Sequence, residues 1–146
     1  MAGKKKKDHK RLIIILIIIT LAFIWGNSMI PGKLSSEMSE WFRETLRKLL
    51  PFLEGGDAQS EGHILRKTMH FLEYTILGIE MTCLKNNSRR LDNGKVFLFG
   101  ILAAMIDETI QLFTPGRAGM LQDVWLDSAG FVTGVLTATV IHKLKA

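Results

Sequence analysis

Apolar residues along this 146-residue chain gather in long runs, and the later runs carry polar groups at helical spacing. The first run, residues 12–30, holds 19 residues without a charge. A helix of that length rises about 28 Å, close to the hydrocarbon thickness of a bilayer. Runs at about 68–84, 96–113 and 121–141 are less apolar because they contain acids. Together they predict an all-α membrane protein, a four-transmembrane-helix bundle.

Between the first two spans lies a segment of another kind, over residues 35–53. Met38, Trp41, Phe42, Leu46, Leu49, Leu50 and Leu53 follow the three-four spacing of an amphipathic helix. Glu37, Glu40, Arg43, Glu44, Arg47 and Lys48 occupy the opposite face. Ser35 and Ser36 are N-cap candidates, and Pro51 disturbs the end. The segment is too charged to span and reads as an interfacial helix. It either forms a lid over a site or packs on the bundle ends. Residues 55–62 then form a flexible connector.

Charge sets the orientation. Six of the 19 basic residues precede the first span, in a basic tail over residues 1–11. Four more lie between Lys85 and Lys95, and Lys143 and Lys145 close the sequence. Under the positive-inside rule both termini are cytoplasmic, and the loops around 31–66 and 114–122 lie outside. The net charge of +5 therefore reflects topology, not nucleic-acid binding. The residues after the first run show no small-residue cleavage pattern, so it reads as a retained anchor. The single Cys83 rules out a disulfide framework and reads as a packing residue.

The polar groups within the spans agree in depth. His70 lies about 4.5 Å and Tyr74 about 10 Å inward from Lys67 on the second span. Asp107 falls about 9 Å short of Phe113, and Gln111 about 3 Å. Asp127 lies about 6 Å deeper than Asp123 on the fourth. Three helices of alternating direction thus deliver polar groups to one outer layer. They also share faces. Lys67, His70, Tyr74 and Gly78 form one stripe; Gly100, Ala103, Asp107 and Gln111 form another, with Glu108 at its edge. Asp123, Asp127, Gly130, Gly134 and Thr137 line the last. Small residues below the polar layer allow close helix approach.

Ionisable groups in hydrocarbon cost roughly 2.5–3.5 kcal/mol each, so such a cluster marks a candidate site. Asp107, Glu108, Asp123 and Asp127 offer hard oxygen ligands, with Mg²⁺ or Ca²⁺ the cations to consider. Lys67, Arg117 and Arg66 suit a phosphate headgroup, Arg117 through its fork. His70 is a candidate general base, with Asp107 and Glu108 the other candidate catalytic groups. Tyr74 and Gln111 read as network members. Thr114-Pro115-Gly116-Arg117 also ends the third span as a tight turn. Glu73 and Glu80 lie on a different stripe and receive no function. The whole cluster also fits an interhelical polar clamp.

Three patterns in order carry a resemblance: Lys67-x-x-His70-Phe71-x-x-Tyr74-x-x-x-Gly78, Asp107-Glu108-x-x-Gln111-x-Phe113-x-Pro115-Gly116-Arg117, and Asp123-x-x-x-Asp127-x-x-Gly130-x-x-x-Gly134. In combination they resemble the VanZ-like family of bacterial membrane proteins, with a core over residues 64–141. The resemblance implies a multi-pass protein of the bacterial cell membrane, of the teicoplanin-resistance accessory type. The expected function is an outward-facing intramembrane site that binds or processes a phosphate-bearing envelope lipid or polymer. Expected partners are membrane lipids and a lipid-linked cell-wall precursor or teichoic-acid-type polymer. The alternatives are a metal-dependent hydrolase or transferase on lipid-linked phosphate, and a small ion-coupled transporter.

Overall fold

The computed structural model describes residues 2–49, 58–88 and 90–145, and places them in five helices with no strand among the described residues. These are α1 (Ala2–Ser28), α2 (Gly32–Leu49), α3 (Ala58–Asn86), α4 (Asn93–Phe113) and α5 (Leu121–Leu144). The all-helical expectation holds. Among the described residues three segments are long and apolar enough to cross a membrane: Lys7–Ser28, Asn93–Phe113 and Leu121–Leu144.

The expected second span does not join that group, although α3 is 29 residues long. The reason lies in its composition: Arg66, Lys67, Glu73 and Glu80 interrupt its apolar residues. α3 packs against each of the other four helices. Two of its acids face partners there. Glu73 accepts from Asn27 Nδ2 at 3.1 Å, and Glu80 from Thr20 Oγ1 at 3.0 Å. α1 and α4 turn Ile15, Ile18, Ile19, Leu98, Leu102 and Met105 outward, and α3 turns Ile64, Leu72 and Ile76 outward. An apolar surface so extensive belongs against lipid or protein, not water.

Several boundaries move. α1 begins at Ala2, so the basic tail continues the first helix, which ends at Ser28 and not at residue 30. α2 starts at Gly32, three residues before the expected cap. Ser35 therefore sits inside its first turn, with its amide bonded to the Pro31 carbonyl at 3.0 Å. Leu50, Pro51 and Leu53 fall outside the described residues, as do 55–57. The remainder of the expected connector, from Ala58 to Gly62, is helical.

The pairing of residues fixes the directions. α1 runs antiparallel to α3, since Asn27 meets Glu73 and Thr20 meets Glu80. α3 and α5 run parallel, with Gly130 beside Phe71 and Gly134 beside Thr75. A Cβ on Gly130 would lie 2.5 Å from the Phe71 carbonyl oxygen, and one on Gly134 would overlap the Thr75 carbonyl. Gly78 meets the Phe131 carbonyl and Gly100 the Phe131 ring in the same way. Small residues thus bring backbone against backbone, which is the favoured route to association where no hydrophobic effect acts. The Thr75 hydroxyl adds a bond to the Gly130 carbonyl at 3.1 Å. Thr137, expected on this face, is exposed and bonds back to Thr133; Ala138 is buried there instead. Cys83 packs against the core as expected.

Candidate functional site

The helix directions bring one end of each of α1, α3, α4 and α5 together. α1 contributes Asn27 and Ser28, α3 the residues from Arg66 to Tyr74, and α4 Asp107, Glu108 and Gln111. The turn from Thr114 to Met120 closes the layer and leads to Asp123 and Asp127 on α5.

That turn is anchored by backbone. Gly116 adopts a φ of 72°, open to glycine at little cost. Gly32, at the start of α2, donates its amide to Pro115 at 2.9 Å, and a Cβ there would overlap the Gly116 carbonyl. Arg117 then reaches back to the α1–α2 junction. Its Nε donates to the Ile30 carbonyl at 2.9 Å, and Nη2 donates to the Asn27 carbonyl at 2.8 Å and Ser35 Oγ at 3.0 Å. Burial first, then the nearby charge of Arg66, pull its pKa below the usual guanidinium value. Only Nη1 remains buried without a partner. Most of the fork expected to grip a phosphate is therefore spent on holding two chain segments together.

At the rim of the layer the charges are matched. Lys67 Nζ lies 2.7 Å from Asp123 Oδ1. Glu108 Oε2 accepts the Met120 amide at 2.8 Å, at the start of α5, where no side chain of the capping residue serves. Gln111 Nε2 lies within reach of Asp107 Oδ2 and Glu108 Oε1, both at 3.2 Å, and Ser28 Oγ at 3.4 Å. Its two hydrogens serve two of these at a time. Thr114 Oγ1 ties the same corner to the Ser28 carbonyl at 3.0 Å.

Deeper, matching stops. His70 Nδ1 lies 3.6 Å from Asp107 Oδ2 and 3.9 Å from Glu73 Oε2. Asp107 and Asp127 are 0% and 1% exposed. Among the described residues no Lys or Arg forms an ion pair with either. The Tyr74 hydroxyl is buried without a partner, in electrostatic range of Asp107 and Asp127.

Two cavities open onto this layer. The polar one, of about 250 Å³, is lined by Lys67, His70, Glu108, Gln111, Arg117, Asp123 and Asp127. Asp107 and Tyr74 lie behind its wall, so all nine expected site residues gather in one region. The second, of about 560 Å³, lies between α1, α2 and α3 with Phe23, Met38, Trp41, Phe42, Leu65 and Met69 on its walls. Arg66, His70 and Arg117 border both cavities.

Sequence reasoning missed Asn27, Ser28 and Glu73. Glu73 was visible as the residue one turn after His70; Asn27 and Ser28 carried no signal beyond ending an apolar run. The four acids proposed as an oxygen-only cation site do not converge as a set. Glu108 and Asp123 are engaged by Met120 and Lys67, whereas His70, Asp107 and Asp127 offer ligand atoms within 4.8 Å of one another.

Fold and site together define a helical membrane protein with a polar pocket built into converging helix ends. The sequence profile of the VanZ/LLP1 family matches residues 13–142, and the chain belongs to this VanZ-like family. No curated protein and no solved structure matches it significantly.

Proposed function

We propose that this VanZ-like membrane protein binds or processes a phosphate-bearing lipid or polymer of the bacterial cell envelope at an outward-facing intramembrane site. In this reading α1, α3, α4 and α5 span the bilayer with both termini cytoplasmic, and α2 lies at the outer interface as one wall of the apolar cavity. Occupancy of the site alters the surface that a lipoglycopeptide meets, which contributes to teicoplanin resistance.

The observation that carries the reading is the junction of the two cavities. An amphiphile needs an apolar channel for its chain and hydrogen-bond donors for its head, at adjoining positions. The wall of Phe23, Met38, Trp41, Phe42 and Met69 suits the chain. Arg66 and Lys67, on the wall of the polar cavity, suit the head. A path to the other membrane face is less favoured, since the lower half of the bundle is closed by Gly78, Gly130 and Gly134 against backbone.

Native mass spectrometry of the purified protein tests this with polyprenyl phosphate against the polyprenol of equal length. Retention of the phosphate alone, lost in Lys67→Ala and Arg66→Ala, is the expected result. Equal retention of both lipids would overturn the reading. Catalysis is a second reading, favoured by His70 standing between Asp107 and Glu73. Release of inorganic phosphate from polyprenyl diphosphate by the wild type, absent in His70→Ala, distinguishes processing from binding.

A further inference from the structure

We propose that His70, Asp107 and Asp127 form a divalent-cation site, at the inner wall of the polar cavity, that takes one nitrogen and two carboxylate ligands. The three residues come from α3, α4 and α5, and their ligand atoms lie within 4.8 Å of one another. Each offers a buried atom without a hydrogen-bond partner: His70 Nδ1, Asp107 Oδ1 and Asp127 Oδ2. Buried polar atoms left without a partner on three residues clustered this closely are costly unless something satisfies them.

Charge accounting points the same way. Lys67 is committed to Asp123, and Arg117 Nε and Nη2 to backbone carbonyls and Ser35. Two carboxyls at 0% and 1% exposure are thus left side by side with no basic partner except an imidazole. Such a pair needs at least one proton shared between the groups or a cation between them. The unpartnered imidazole nitrogen favours the cation, because a histidine serving only to neutralise an acid would make a true hydrogen bond. Its 3.6 Å separation from Asp107 is too long for one.

The ligand types select the ion. Ca²⁺ and Mg²⁺ favour all-oxygen shells, whereas an imidazole beside two carboxylates suits a first-row transition ion; Mn²⁺, which accepts carboxylate-rich shells, serves as its probe. His70 and Asp127 also line the polar cavity, so the bound ion would face the space assigned above to a headgroup. The cation site stands on its own geometry and does not depend on the lipid reading.

The test uses the metal alone, without lipid. Full-length protein in detergent is stripped with chelator, incubated with Mn²⁺ or Ca²⁺ at neutral pH, desalted and assayed for metal. Wild type should retain about one Mn²⁺ per chain and little Ca²⁺. The isosteric variants Asp107→Asn and Asp127→Asn should each lower Mn²⁺ retention at least about tenfold. Glu80→Gln, an acid of α3 bonded to Thr20, should keep it. Electron paramagnetic resonance of the Mn²⁺-loaded wild type should show coupling to one imidazole nitrogen, a readout that needs no variant to fold. No retained Mn²⁺, equal retention of Ca²⁺, or bound Mn²⁺ without nitrogen coupling would overturn the assignment.

Discussion

At the rim of the bundle the helices meet through side chains, while beneath it α3 and α5 meet through backbone. Lys67–Asp123, Glu108–Met120 and the Gln111 hub join four segments by bonds that need particular lengths and charges. Below them, Gly130 on Phe71 and Gly134 on Thr75 leave no room for a side chain at all. The two zones therefore divide the work. The glycine seam sets the distance between α3 and α5, and that distance fixes where His70 stands relative to Asp127. Buried atoms left without a partner, such as Asp107 Oδ1 and the Tyr74 hydroxyl, occur where the first zone gives way to the second.

A side chain in the seam should disturb the molecule most. Gly134→Leu would drive a branched group into the Thr75 carbonyl, and overpacking of this kind costs about 1–3 kcal/mol or more. We expect the largest drop in melting temperature here, read by circular dichroism in detergent, together with loss of rim binding. Arg117→Ala should rank next. It strips donors from the partly buried Asn27 and Ile30 carbonyls, and a fully buried acceptor left unmade costs roughly 1–3 kcal/mol, an upper bound for each of these. Arg117→Lys should recover only part of the melting temperature, because one ammonium cannot span both carbonyls and Ser35.

Lys67→Ala sharpens the contrast in another way. Its pair with Asp123 is one-third exposed on the lysine side, so stability should fall by less than about 1 kcal/mol. Retention of polyprenyl phosphate should nevertheless fall about tenfold, since a hydrogen bond to a charged group is worth roughly 1.5–3 kcal/mol. The smallest effect belongs to Asp92→Ala, at the far end of α4, where Asp92 caps the Lys95 amide at 2.9 Å. Amides of the first turn should exchange faster with solvent while binding at the rim stays unchanged. Hydrogen bonds from Lys95 hold the Asp92 carboxyl below its ordinary value. The cap is therefore fully present above the unfolded carboxyl pKa, and is lost as pH falls through the lower folded value.

Much of the site was legible because acids inside apolar runs are rare enough to stand out. Asp107, Asp123 and Asp127 were placed by depth and face alone, and the structure gathers them. The weaker signals failed for physical reasons. Asn27 and Ser28 are uncharged and end a span, where polar residues are ordinary. The role of Arg117 depends on backbone carbonyls, which every residue carries and no sequence pattern advertises. Glu73 and Glu80 of α3 received no function from their spacing, because their partners Asn27 and Thr20 lie on α1, far away in sequence. The start of α2 at Gly32 is set by its contact with Gly116, far away in sequence, and not by the serines beside it.

Function at the rim turns on which side the polar cavity opens and what fills it. Ala118, exposed on its wall, can be made the only thiol by Ala118→Cys in a Cys83→Ala background. A membrane-impermeant maleimide should label it on intact cells, and added polyprenyl phosphate, but not polyprenol, should slow the labelling. Labelling only after the membrane is breached, or at a rate indifferent to the phosphate, would contradict the account.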